Sequence, residues 1–271
     1  MYNGFDTGYD SELNASFGQL KTDGVTELVL DLRYNGGGRN SILQNMASLI
    51  TGQFTGQTII KQKWNNEWMA WFNENRPEWL VDTFVDKIRY SDEAGNLIEE
   101  ALNNLNITNL VVITTGSSAS ASEALISGLR PYINVTTIGS LTYGKYTGSI
   151  TVYDSDNFSR TGDNLNSNHT WYMQPIVFEY TNSVGENVQG GIEPTVEKIE
   201  FVSEFKELGS LEEPLLAEAI AYITGSGKPA RSNKIQRIQF DEIENKLDPK
   251  YGRNGYVTDK VVPVEFFQRK K

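Results

Sequence analysis

Two apolar, β-prone runs each empty into a turn and then a helical stretch, and this shared order constrains the fold more than any other feature of the chain. The first run, Glu27-Leu28-Val29-Leu30-Asp31-Leu32-Arg33, leads through Asn35-Gly36-Gly37-Gly38 into a helix expected over about Ser41 to Thr51 and closed by Gly52. The second, Asn109-Leu110-Val111-Val112-Ile113-Thr114-Thr115, turns at Gly116 to Ser118 into a helix expected over Ser120 to Arg130 and stopped by Pro131. Continuous apolar strands that alternate with helices form α/β sheets, and the loops at the carboxyl ends of those strands carry sites. The two units therefore predict one sheet presenting one site.

The 271 residues suffice for a large core, and 38% hydrophobic content with dispersed charge predicts a folded globule. We expect a core over residues 1–225, interrupted by a tryptophan-rich insertion at about 53–107, and a C-terminal extension over 226–271. Four of the five tryptophans, Trp64, Trp68, Trp71 and Trp79, fall before Arg89. They read first as aromatic packing of the insertion and second as a wall over a substrate groove. After Gly148 the chain turns β-rich over Ser149 to Tyr153, Trp171 to Tyr180 and Gly191 to Phe201. A last helix is expected over Leu211 to Thr224, with Ser210 and Glu213 as a capping box and Gly225 as the stop.

Charge and composition exclude several functions. A net charge of −11 leaves no basic field to meet phosphates, which argues against nucleic-acid partners. No apolar run approaches the roughly 18 residues of a membrane span. The absence of cysteine rules out disulfides and cysteine-based zinc sites. His169, the single histidine, lies in a polar stretch and reads as a surface residue, so neither metal nor cofactor is expected. The opening Met1-Tyr2-Asn3-Gly4-Phe5 carries no signal pattern and reads as the start of an excised domain.

The chemistry concentrates in Ser117-Ser118-Ala119-Ser120-Ala121-Ser122-Glu123 and in Thr142-Tyr143-Gly144-Lys145, whose lysine lies 25 residues beyond Ser120. With one histidine in the chain, a serine nucleophile needs another base, and lysine fills that role in Ser-Lys hydrolases. A serine where a helix begins has unpaired N–H groups beside it, and the Ala121 N–H can face a developing oxyanion. Lys145 must be neutral to accept a proton, which burial between Leu141, Tyr143 and Ile150 would promote. Gly36-Gly37-Gly38 can present N–H groups to an anion, while Asp31 and Arg33 read as anchors of that loop. The residues alone do not choose among Ser118, Ser120 and Ser122. Gly139 to Lys145 also has the G-x-x-x-x-G-K spacing of a phosphate loop, but Tyr146 stands where Ser or Thr is needed and a strand follows where a helix is needed.

Together these segments resemble the C-terminal processing (tail-specific) serine peptidases, in particular envelope members from Bacteroides-type bacteria. The likeness runs from Leu28 to about Gly225. It rests on Asp31-Leu32-Arg33-Tyr34-Asn35-Gly36-Gly37-Gly38, Ser118 to Glu123, Thr142-Tyr143-Gly144-Lys145 and Gly191-Ile192-Glu193-Pro194. The resemblance implies a Clp-protease/crotonase-like α/β fold with a β-rich C-terminal half. It places the nucleophile on Ser120, the general base on Lys145, and oxyanion donors on Ala121 and the Gly37-Gly38 pair. Three positions depart from the family pattern. Ser149 replaces the glutamine that usually orients the lysine and becomes the candidate for that task, Tyr146 replaces a glycine, and Thr195 replaces an aspartate.

The resemblance further implies a polypeptide substrate cut near its C-terminus, an envelope location and a PDZ domain upstream of residue 1. A competing reading is a catalytically silent peptide-binding module of the same fold. A third, acyl-CoA chemistry on a crotonase-like fold, leaves the Ser-Lys register unexplained.

Overall fold

The structure, a computed structural model, describes residues 1–92, 95–226, 256–258 and 265. The first half runs α1 (Asp10–Thr22), β1 (Leu28–Asp31), α2 (Asn40–Thr51), β2 (Thr58–Trp64), α3 (Asn66–Asn75), β3 (Val81–Thr83), β4 (Lys87–Ser91) and β5 (Leu97–Ala101). It continues with β6 (Asn109–Thr114), α4 (Ala121–Leu129), β7 (Asn134–Gly139), β8 (Thr147–Ser149), β9 (Val152–Tyr153) and β10 (Tyr172–Met173). The last elements are β11 (Ile176–Asn182), β12 (Val196–Glu197), α5 (Pro214–Thr224) and β13 (Tyr256–Val257).

Both predicted strand–loop–helix units are present and are neighbours in a parallel sheet of order β1-β6-β7-β12. Strand β6 is buried on both faces, as its unbroken apolar run requires. Leu110 and Val112 point into the main core, while Val111 and Ile113 point the other way and pack with Ile138, Leu215 and Ala219 under α5. A second sheet, of order β13-β8-β11-β2-β3, is antiparallel except at its β13 edge. Helix α4 is buried along all nine of its residues. A helix buried on every side belongs inside a core, and α4 packs against α2, β2, β7 and β11. Full burial of Leu125, Ile126 and Leu129 contributes about 1.5–3 kcal/mol for each side chain.

The tryptophan segment packs inward. Trp64 and Trp71 are buried, and the Trp64 ring lies 5.1 Å from both Phe72 and Phe178. The cluster therefore supports β2 and β11, which bears out the packing reading over a wall above a groove. The stretch Gly191 to Phe201 is less β-rich than expected, since its one strand is the two-residue β12. The extension expected over 226–271 lies mostly outside the described residues, although β13 pairs in parallel with β8. No helix among the described residues is long and apolar enough to cross a membrane.

Helix α5 begins at Pro214, not Leu211, and the Ser210–Glu213 capping box does not form. Ser210 Oγ accepts from Glu212 N–H, and Glu213 is itself the cap, accepting from Leu215 and Leu216 N–H. The reason is a distant partner. Arg33, 1% exposed, donates to both Glu213 oxygens at 2.8 Å, to Glu200 at 2.7 Å and to Asp31 at 3.1 Å. Burial opposes the Arg33 charge, but hydrogen bonds to Glu213, Asp31 and Glu200 outweigh it and hold the guanidinium firmly protonated. This network ties the end of β1 to the start of α5, as the anchor reading of Asp31 and Arg33 anticipates. Arg33→Met should lower the unfolding free energy by about 3–5 kcal/mol, because it strands buried carboxylates without a counter-charge. Urea denaturation followed by circular dichroism measures this, and a loss under about 1 kcal/mol would refute the anchoring role.

Candidate active site

The loop after β1 and the loop after β6 are stitched together by side chains. Ser118 Oγ donates to Leu32 O at 2.7 Å, Ser122 Oγ donates to Asn35 O at 2.9 Å, and Thr115 Oγ1 donates to Arg33 O. Ala119 N–H also donates to Asn35 O at 3.0 Å. Asn35 is fully buried, and its Oδ1 accepts from Gly37 N–H at 2.9 Å. Two of the three candidate serines thus spend their hydroxyls on loop carbonyls. The third does not: Ser120 Oγ is buried and has no hydrogen-bond partner.

Ser120 also has an unusual backbone, with φ 59° and ψ −112° at the N-cap of α4. A non-glycine residue held there stores roughly 1–3 kcal/mol of strain, which persists only when its surroundings over-determine it. Glu123 provides much of that restraint. Its Oε2 accepts from the N–H groups of Ser120 at 2.8 Å and Lys145 at 2.9 Å, and its Oε1 accepts from Thr142 Oγ1 at 2.5 Å and Gly144 N–H at 2.6 Å. Thr142 Oγ1 in turn accepts from Ile192 N–H at 2.7 Å, linking the Gly191-Ile192 segment to the same carboxylate. Burial pushes the Glu123 carboxyl up, against the hydrogen bonds from Thr142, Gly144, Ser120 and Lys145 that pull it down.

A second tie crosses behind the site. The buried Tyr180 hydroxyl on β11 is shared between Ser120 O at 3.0 Å and Lys145 O at 2.8 Å. Burial, reinforced by the Glu123 charge, raises the Tyr180 pKa well above its usual value, so the phenol stays a donor. Ser120 and Lys145 therefore share two partners, one holding both N–H groups and one holding both carbonyls.

The Lys145 side chain is half-buried, and desolvation lowers its pKa below the ordinary lysine value. No hydrogen bond joins it to the Ser120 hydroxyl. Ser149 lies on β8, its carbonyl accepting from Thr258 N–H at 3.1 Å, and its hydroxyl bonds to nothing among the described residues, Lys145 included. The glycine loop does reach the serine. A Cβ on Gly37 (φ 106°) would sit 2.8 Å from both Ala121 N and Ser120 Cβ, so the close approach depends on glycine. The Gly37 N–H is committed to Asn35, whereas those of Gly38 and Ala121 donate to no described group. His169 is partly exposed, with Nε2 3.2 Å from Asp154 Oδ2, and no cluster able to hold a metal occurs among the described residues.

Among the cavities lined by described residues, two lie beside the parallel sheet. The larger, about 500 Å³, opens at the amino ends of β6 and β7 beside Asn109 and Asn134. The smaller, about 410 Å³, has Gly38 on its wall and so adjoins the serine loop, at the carboxyl ends of the strands where α/β sheets carry their ligands. Sequence reasoning gave no role to Glu123, Tyr180, Asn35 or Phe5. The Ser-x-x-Glu spacing of Ser120 and Glu123 was the available signal for the first. Phe5, which donates from N–H to Gly37 O and accepts from Arg39 N–H, had none.

The family model for peptidase family S41 matches residues 1–198. A candidate S41 protease from Bacteroides fragilis is 26% identical, with a TM-score of 0.64 over 84% of this chain and 54% of its own. A candidate peptidase from Parabacteroides merdae is 16% identical, with a TM-score of 0.50 over 85% of this chain and 62% of its own. The chain thus spans between half and two thirds of these structures, and its α/β fold is theirs. No curated protein matches the chain.

Glu123→Gln tests the hub. The amide would turn an NH2 group or a single oxygen toward donors that now fill both carboxylate oxygens. Stability should fall by about 1–3 kcal/mol for each buried donor left unpaired. Urea denaturation that finds wild-type stability would remove Glu123 from this role.

Proposed function

The chain belongs to peptidase family S41, and from that premise we propose that it is a serine endopeptidase cutting polypeptides near their C-termini, with Ser120 as nucleophile and Lys145 as base. The observation that carries this reading is the Ser120 hydroxyl: it alone of the three serine hydroxyls from Ser118 to Ser122 lacks a hydrogen bond, and it stands on a strained backbone at a helix N-terminus. Strain of this kind clusters at reacting groups.

In this mechanism Ser120 Oγ attacks the scissile carbonyl carbon while neutral Lys145 takes its proton. The negative charge that forms on the carbonyl oxygen is met by the uncommitted N–H groups of Ala121 and Gly38. Gly37 contributes close approach and not a donor, since its N–H belongs to Asn35. Lys145 then passes the proton to the leaving amine, and water, deprotonated by the same lysine, hydrolyses the acyl-enzyme. Desolvation of Lys145 supports its role as the base, because it favours the neutral amine.

Ser120 Oγ is closed to solvent and unbonded to Lys145, so turnover requires a movement that opens the serine and brings the two groups together. The same closed geometry motivates the alternative of a silent peptide-binding module. An envelope location and substrate capture by an upstream PDZ domain complete the proposal.

Ser120→Ala and Lys145→Ala should each lower cleavage of an unstructured peptide by at least about 10³-fold, with circular dichroism unchanged. Wild-type turnover in the lysine variant would sink the dyad, and no turnover by the parent chain would favour the silent module. The pH profile supplies an independent check. Protonated Lys145 is inactive as a base, so kcat/KM should rise with pH and reach half its plateau below the ordinary lysine value of about 10.4. A profile flat across that range would count against Lys145.

A further inference from the structure

One buried side chain of the second sheet reaches the backbones of both Ser120 and Lys145. Tyr180 lies within β11, which packs against α4, and its ring is 1% exposed in the main core. Its N–H donates to Tyr146 O at 2.9 Å and its hydroxyl to Lys145 O at 2.8 Å, so it holds two consecutive carbonyls of the lysine loop. The same hydroxyl donates to Ser120 O at 3.0 Å. A phenol has one hydrogen, so the bond is three-centred, and the two carbonyls cannot draw apart without one of them losing it. The hydroxyl thereby gauges the spacing of two backbones that lie 25 residues apart in the chain.

Resting on the reading of Ser120 and Lys145 as nucleophile and base, we propose that Tyr180 is a positioning residue for the reaction, its hydroxyl fixing the separation of the serine and lysine backbones. Glu123 holds the N–H groups of both residues and Tyr180 holds both carbonyls, so the peptide units on either side of each residue are tied. The movement that joins the amine to the serine oxygen is then confined to the two side chains and the glycine loop beside Ser120. Such precision matters, because a displacement of about 1 Å can lower a rate ~100-fold. Buried in the core, Tyr180 offers no surface to a substrate, so its influence falls on the chemical step and not on binding. Its hold on the loop also keeps the Lys145 amine half-buried. A looser loop would admit water to the amine and raise its pKa toward the ordinary value, since desolvation is what lowers it.

Tyr180→Phe removes the hydroxyl and keeps the ring. Ser120 O retains its bond from Ala124 N–H at 2.7 Å, so the fold should survive. Rates on an unstructured peptide are expressed per folded molecule, with the folded fraction read by urea denaturation. In this variant kcat should fall about 10- to 100-fold, with KM within about twofold of the parent. The pH at which kcat/KM reaches half its plateau should rise by at least about 0.5, because a better hydrated amine stays protonated to higher pH. Tyr180→Leu, which also removes the ring, should move that midpoint in the same direction. Parent-like kcat and midpoint in Tyr180→Phe would overturn the role, and so would a loss carried by KM. A lower kcat with an unmoved midpoint would reduce Tyr180 to packing and would overturn it equally. The two readings fail separately: a dead Lys145→Ala beside an unaltered Tyr180→Phe removes Tyr180 alone. Wild-type turnover in Lys145→Ala, or none in the parent, removes the dyad and this role with it.

Discussion

The Glu123 carboxylate is the interaction on which the site depends. A carboxylate inside a core is expensive to desolvate and survives there when its oxygens are filled. Here the four donors that fill it come from Ser120 and from Thr142, Gly144 and Lys145 on the following loop. The two loops follow the neighbouring strands β6 and β7. One buried charge fixes both, and Tyr180 repeats the tie through the carbonyls.

Behind that hub lies a hierarchy of restraints. Helix α4 is held by packing on every side, so its first turn is a rigid platform for Ser120. The glycine loop is held on one side by Asn35 and on the other by Phe5 from the start of the chain. Arg33 secures the base of that loop through three carboxylates, two of them from the far end of the described core. Strain at Ser120 persists because each neighbour that would relax it is itself fixed.

What the sequence revealed follows from the range of the interactions involved. Strands β1 and β6 and helices α2 and α4 were legible because continuous apolar runs and glycine or proline stops are local patterns. Gly52 and Gly225 end their helices in the left-handed conformation, as their positions suggested. The start of α5 was misread because Glu213 answers to Arg33, 180 residues away, and no local pattern records that. Helix α1 went unseen because its buried face carries Asp10 and Asn14 beside Phe17, which erases the apolar stripe. Residues alone left Ser118, Ser120 and Ser122 equivalent; the difference lies in which hydroxyls meet the carbonyls of Leu32 and Asn35, a matter of tertiary register.

On the proposed reading of Ser120 as the nucleophile, its sealed hydroxyl turns an equilibrium into a control point. If the reacting arrangement is a minor conformer, every observed rate is the intrinsic rate multiplied by the fraction of molecules that are open. Each 1.4 kcal/mol by which a neighbouring surface favours the open form then multiplies turnover tenfold without altering a single reacting atom. Under the proposed mechanism the same arithmetic protects bystanders, because a chain that rests shut would expose unintended polypeptides to Ser120 only for that fraction of the time.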